Sequence, residues 1–331
     1  MEVSVIVPVF NAERTLRQCL ETLVKFAPGD SEIIIVDDGS TDNSPVIAKE
    51  FPVTLIKLAK NSGSGNARNA GTENSRGDIL VFIDADVLVN SSTFPTILSL
   101  LKNDSDLDAA VGCFAIDHPN RNFFSQYKNL YMHFVFSKMP QHVDFLFTSV
   151  CAIKRRAYLG FKKTKLKTDD TELGQRSSDG GKKIMLSLDL EVVHLKRYNL
   201  LSLLKNDFIV PRDWAKIFLS YGGFKQLIVK RKFAHASIGQ IVSLIAAALI
   251  LPLVLFFGAH KVVAVSAAIL IFIFFAVHAN FIIFLNKKKG FLFSLAATPM
   301  IYFDMLIMCV GVLFGSLQFL FSLRYKGSNS Q

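Results

Sequence analysis

The chain has 331 residues, enough for one large or two small domains, and 51% of them are hydrophobic. Its net charge of +10 lies within residues 151–232, where nineteen Lys and Arg face eight Asp and Glu. That stretch abuts long apolar runs and contains no recognisable nucleic-acid module, which sets nucleic acid aside as a partner. Cys19, Cys113, Cys151 and Cys309 lie too far apart for a metal cluster or a disulfide framework and read as packing residues.

The first hundred residues alternate short apolar runs with amphipathic segments. Strands are expected over Val3–Val9, Glu32–Val36, Val53–Leu58 and Ile79–Ile83, and helices over Ala12–Phe26, Asp42–Phe51 and Ser64–Ser75. Strands interleaved with helices predict an α/β layer with a mostly parallel sheet and a ligand crevice at the strand ends. A helix over Thr93–Lys102, a strand over Ala109–Ile116, a poorly patterned stretch and an apolar run over Val143–Ile153 follow. No Gly-x-Gly-x-x-Gly opens the first helix, which excludes a dinucleotide-binding enzyme of the NAD type.

Beyond Ala234 charge almost vanishes. Ser237–Phe257 and Val262–Leu285 each have the roughly 20 residues a bilayer crossing needs. Phe291–Leu323 is long for one crossing and short for two, and is read as an interfacial approach followed by a span over 301–323. Three spans are expected, with four the alternative. The N-terminal Met1-Glu2-Val3-Ser4 lacks a basic n-region and a cleavage site, so it is not expected to act as a signal peptide. Lys287, Lys288 and Lys289 place the loop between the second and third spans on the cytoplasmic side, together with the polar N-terminal half. The organisation expected is a catalytic domain over 1–199, basic interfacial helices over 200–233 and a multi-pass inner-membrane region over 234–331.

Polar clusters follow each of the first four strands: Pro8-Val9-Phe10-Asn11, Asp37-Asp38-Gly39-Ser40-Thr41-Asp42, Asn61-Ser62-Gly63 through Ala67-Arg68-Asn69-Ala70-Gly71, and Asp84-Ala85-Asp86. Each has an ordinary turn or capping explanation taken singly. Together they sit where a parallel sheet binds ligands, and two carboxylates one residue apart can share a hard cation that also carries phosphates.

This set resembles the family 2 glycosyltransferases, inverting enzymes of GT-A fold, over roughly residues 1–200. The resemblance implies that Pro8, Phe10 and Asp38 hold the nucleotide base, that Gly63 and Arg68 face the nucleotide, that Asp84 approaches the ribose, and that Asp86 binds a divalent metal, Mn2+ or Mg2+, on the diphosphate. Thr168-Asp169-Asp170-Thr171-Glu172 resembles the family's acidic acceptor-side motif and puts the general-base role on Asp170, with Asp169 beside it; a helix start explains the same residues. His194 corresponds to a further metal ligand in related enzymes, although a lone histidine is more often structural. Arg212-Asp213-Trp214 resembles, with Asp213 interposed, the Arg-Trp element of processive synthases, and would lie on the acceptor side; an interfacial helix with Trp214 and Phe218 at the headgroups is the alternative.

The activity implied is transfer of a sugar from a nucleotide sugar, UDP-linked by expectation, to a hydroxyl of a lipid-linked or glycan acceptor, with membrane lipids as further partners. A polyprenyl-phosphate glycosyltransferase is the nearest alternative, and a non-catalytic membrane scaffold with a degenerate nucleotide fold a third.

Overall fold

The computed structural model describes residues 2–163, 166–225, 232–233, 236–255 and 261–328. The chain divides into two units, Met1–Arg121 with Val135–Arg197, and Asn122–Phe134 with Tyr198–Gln331.

The first unit is built on β1 (Val3–Val9), α1 (Leu16–Phe26), β2 (Glu32–Asp37), α2 (Ser44–Ala48), β3 (Thr54–Lys57), α3 (Ser64–Glu73), β4 (Ile79–Ile83), β5 (Val87–Leu88), α4 (Thr93–Asn103) and β6 (Ala109–Phe114). After α5 (Phe123–Ser137), most of which belongs to the second unit, come β7 (His142–Val143), β8 (Val150–Lys154), α6 (Asp169–Asp179) and β9 (Ile184–His194). The sheet order is β3-β2-β1-β4-β8-β6-β9-β5, with β7 also on β9. β3, β2, β1 and β4 run parallel, β8 runs antiparallel to both β4 and β6, and β9 is parallel to β6. The fold is therefore a mixed sheet whose parallel half follows the GT-A pattern.

All five residues of β4 and five of the six in β2 are buried, which is why these strands read as unbroken apolar runs. The strand order reverses at β1, which has β2 on one side and β4 on the other. The carboxyl ends of β1 and β4 thus flank a topological switch point, where open α/β sheets take ligands. α3 lies close against β1 because Gly71 faces it: a Cβ there would come 2.5 Å from Ile6 Cγ2.

Three local departures from the expected boundaries have physical causes. α1 starts at Leu16 rather than Ala12 because the amides of Ala12 and Glu13 donate to Ser44 Oγ and Asp42 Oδ2, tying this segment to the loop after β2. The apolar run 143–153 is two short strands around a loop, in which Gln175 Nε2 donates to the Asp144 carbonyl at 2.8 Å and Gly174 of α6 meets the backbone of Phe145 and Leu146. The poorly patterned stretch contains α5, whose apolar side chains fall on too many faces to show a period.

The second unit contains most of α5, then α7 (Leu200–Ser220), a small hairpin of β10 (Lys232–Phe233) and β11 (Ala236–Ser237), α8 (Ile238–Leu255), α9 (Lys261–Lys289) and α10 (Phe291–Ser328). α8, α9 and α10 as far as Ser322 are long and apolar enough to cross a membrane. The last residues of the span expected at 237–257 and part of the segment 200–233 lie outside the described residues. The expected interfacial approach and the span over 301–323 form one continuous helix with Pro299 inside it.

Small and polar residues join these helices, as expected where the surroundings are as apolar as the side chains. Gly311 and Gly315 of α10 receive the carbonyls of Phe208 and Arg212 from α7 so closely that a Cβ at either glycine would collide with them. Ser243 Oγ lies 2.6 Å from His278 Nε2, Tyr127 Oη donates to Asp304 Oδ2 at 3.0 Å, and Lys128 contacts Asp207. Asp207 is held below the usual carboxylate range: burial opposes its ionisation, but the Lys128 ammonium and hydrogen bonds from Asp304 and Asn206 outweigh it.

Candidate active site

The loops leaving β1, β2, β3 and β4 line one cavity of about 1140 Å³. Pro8, Phe10, Asp38, Gly63, Asp84 and Asp86 all border it, so six of the residues singled out in the sequence share one space. Phe10 is 48% exposed, an aromatic face available to a planar ligand.

Asp38 is a brace as much as a contact. Its Oδ1 accepts from the Ser62 amide and hydroxyl, both at 2.8 Å, and its Oδ2 accepts from the Gly63 amide at 2.8 Å. The loop that opens α3 is thereby fixed to the end of β2, with Gly63 at φ 96°, a conformation that side chains other than glycine's rarely take. Asn11, at φ 52°, presents its Oδ1 to the Thr41 amide at 2.8 Å and ties the loop after β1 to the same rim.

Arg68 does not border the cavity. It is 3% exposed and lies behind the carboxylates, over the Phe161 ring at 5.4 Å. Its Nη2 donates to Asp84 Oδ1 at 2.7 Å and its Nη1 lies 3.9 Å from Asp169 Oδ1. Ser149 Oγ donates to the other Asp84 oxygen at 2.8 Å. Burial and the neighbouring Asp86 charge push Asp84 up, against the pull of Arg68 and Ser149.

Asp86 faces His194, with Nε2 3.4 Å from Oδ2. The approach is set by the sheet: Val87 of β5 pairs with His194 of β9, and the Leu195 amide donates to the Asp86 carbonyl at 2.7 Å. Phe114 stacks on the imidazole, with centroids 4.2 Å apart and planes inclined by 5°. Burial would raise Asp86, but His194 and Lys196 outweigh it and hold the carboxyl below its ordinary range. An imidazole nitrogen and an ionised carboxylate at this distance, beside an open cavity, are a donor set that suits a borderline divalent ion.

Asp169 and Asp170 open α6, where the helix dipole favours acidic groups. Asp170 Oδ1 accepts from the Thr171 amide at 2.7 Å and Oδ2 from the Thr148 amide at 3.5 Å. Burial and the adjacent Asp169 charge nevertheless raise Asp170 to about 7, against the pull of Arg68. Neither aspartate is among the residues lining the cavity.

Arg212 and Trp214 lie on α7 in the second unit. Arg212 is engaged by its neighbour, Nε to Asp213 Oδ1 at 2.7 Å, and Trp214 stacks on Phe218 at 5.1 Å. Sequence reasoning missed four cations on the cavity wall, Arg14, Lys167, Lys196 and Arg197. The signal for the last two was a basic pair one residue beyond the strand that ends in His194.

Residues 4–160 match the model of Glycosyl transferase family 2. The chain is 39% identical over 113 residues to the uncharacterized glycosyltransferase YibD of Escherichia coli (strain K12), a match covering 33% of each protein. It is 30% identical over 128 residues to the glycosyltransferase GlyG of Streptococcus pneumoniae serotype 4, covering 37% of this chain and 42% of GlyG. The chain therefore spans well under half the length of these curated relatives. Its fold is similar to that of the mannosyltransferase PcManGT from Pyrobaculum calidifontis, solved in complex with GDP-Man and Mn2+, with a TM-score of 0.59 at 16% identity over 97% of this chain and 87% of that one. Residues 4–160 thus form a family 2 glycosyltransferase domain, built on a GT-A-like fold and followed by three helices of membrane-spanning length and composition.

Proposed function

We propose that this glycosyltransferase moves a sugar from a nucleoside diphosphate sugar, UDP-linked, to a hydroxyl of a lipid-linked or glycan acceptor, by single displacement with inversion. The observation that carries the reading is the convergence of Asp38, from the end of β2, and Asp84 and Asp86, from the end of β4, on one cavity beside His194. Residues 1–199 would form the catalytic domain on the cytoplasmic face of the inner membrane, and 234–331 its multi-pass anchor.

In this reading the base lies against Pro8 and Phe10, on the rim that Asp38 and Asn11 fix. The diphosphate reaches Asp86 and His194, which would hold a divalent ion, Mn2+ or Mg2+. When bound, that ion supplies charge neutralisation for the departing diphosphate. Asp84, fixed on both oxygens by Arg68 and Ser149, is positioned rather than mobile, which suits a contact to the ribose.

The acceptor oxygen forms a bond to the anomeric carbon as the bond to the β-phosphate oxygen breaks, and that electron pair leaves with the nucleoside diphosphate. The acceptor proton passes to the Asp170 carboxylate. A base near neutrality balances availability against proton affinity, and positioned bases contribute about 10²–10⁴-fold. The Asp170 value of about 7 meets that condition. Asp169 shares the acceptor side.

The test is a panel of UDP- and GDP-sugars incubated with the full chain, Mn2+ and membrane lipid extract, with the product identified by mass. A lipid or glycan product heavier by one sugar supports the proposal. No transfer and no donor hydrolysis from any sugar would leave a non-catalytic scaffold.

A further inference from the structure

The cavity wall carries cations that the donor and acceptor assignments above do not use. Lys196 and Arg197 follow His194 after one intervening residue, Leu195, and both line the cavity that Asp84, Ala85 and Asp86 border. Their placement is built into the backbone. The Leu195 amide donates to the Asp86 carbonyl at 2.7 Å, and Asn120 Nδ2 donates to the Leu195 carbonyl at 3.0 Å. Residue 195 is thus clamped on both its polar groups, and the next two side chains enter the cavity from a fixed origin.

The cavity also receives Glu13, Asp38, Asp42, Asp84 and Asp86, five acidic side chains against the four cations Arg14, Lys167, Lys196 and Arg197. A diphosphate brought into that field needs local positive charge beyond one divalent ion, and the need grows as the sugar leaves and another oxygen becomes anionic. Lys196 and Arg197 border the same cavity as Asp86, so their cationic groups share the space in which a diphosphate held at Asp86 would lie.

We propose that Lys196 and Arg197 form the leaving-group cradle of this site, donating charge-assisted hydrogen bonds to the diphosphate oxygens, with Asn120 as the positioning residue that fixes their segment. The assignment rests on the nucleotide-sugar reading given above. It assigns to this pair a contribution of the kind made by preorganised donors aimed at developing negative charge, where loss of one donor costs about 10²–10³-fold in turnover.

The test is calorimetric titration of the full-length protein in detergent, at fixed Mn2+, with uridine, UMP and UDP and with the guanosine series. It is run on the wild type, Lys196→Gln, Arg197→Gln and the conservative Arg197→Lys. In the Gln variants Kd for the diphosphate rises about tenfold while Kd for the nucleoside is unchanged, and kcat falls about 10²-fold with acceptor KM unchanged. Arg197→Lys recovers part of both losses. Asn120→Ala gives a smaller loss of the same pattern. Unchanged UDP and GDP affinity and turnover in both Gln variants overturns the assignment, as does an equal loss for nucleoside and diphosphate. A wild type that binds neither diphosphate defeats the nucleotide-sugar reading itself, and this assignment with it.

Discussion

Arg68 and Asp84 form an ion pair, Nη2 to Oδ1 at 2.7 Å, in which the guanidinium is buried behind the cavity that the carboxylate borders. The same guanidinium approaches Asp169 at 3.9 Å, so one cation stands between the carboxylate of the donor loop and those that open α6. The family resemblance puts Arg68 in a nucleotide-facing loop. The structure gives it a supporting position, where one charge offsets several.

Arg68→Ala therefore leaves Asp84, Asp169 and Asp170 without their common counter-ion. Breaking a buried pair from one side costs about 3–5 kcal/mol. The expected outcome is a clear fall in the melting temperature, smaller for Arg68→Lys, together with a higher apparent pKa for the proposed base. A melting temperature within a degree of wild type would refute the bracing role.

As the proposed base, Asp170 implies a pH dependence whose sign can be stated. With its folded pKa raised to about 7, the ionised base accumulates as pH rises, so turnover climbs through neutrality to a plateau. Asp170→Asn lowers turnover on a hydroxyl acceptor by about 10²–10⁴-fold and abolishes that limb. A lipid phosphate acceptor needs no base, so an Asp170→Asn variant still active towards polyprenyl phosphate identifies the alternative enzyme. The same raised pKa makes neutral Asp170 the form favoured by the fold. Its contribution to stability is full below about pH 4 and is lost as pH rises through about 7. Asp170→Asn should thus gain in melting temperature, relative to wild type, more at pH 8 than at pH 5.

Asp86→Ala should abolish any divalent-ion stimulation of transfer while the protein stays folded. His194→Ala should weaken that stimulation and also lose the stack on Phe114. Thermal shifts on adding Mn2+ with UDP would measure both; an undiminished shift in Asp86→Ala excludes it as a ligand.

Gly315→Leu in α10 should disrupt the seat of α7, because the Arg212 carbonyl occupies the space a side chain would need. Gly290→Ala is the contrast, since no atom stands near its missing Cβ and only its φ of 86° resists. Proteolysis of α7 in detergent distinguishes them: rapid cleavage is expected for Gly315→Leu, and equal protection of both would remove the packing argument.

The parallel half of the fold was legible in the sequence because buried strands are unbroken apolar runs, and Ile79–Ile83 falls where the pattern puts it. The clusters after those strands were legible for the same reason, since the topology leaves each loop one place to go. α5 was not, because its aromatic residues show no helical period, and neither was the two-residue β5, which exists through its pairing with β9. Arg68 was misplaced because a motif gives a residue's neighbourhood but not the direction of its side chain. The cations at 196 and 197 were passed over as part of a general basic excess.

Asp304 lies within a helix apolar enough to cross a bilayer, where an isolated carboxylate costs about 2.5–3.5 kcal/mol to insert. Tyr127, which donates to Asp304, and the Lys128–Asp207 pair are all translated well before it. The partners of this region therefore precede it in synthesis, and a chain lacking residues 122–134 would bring Asp304 to the bilayer without the Tyr127 hydroxyl whose hydrogen bond it accepts.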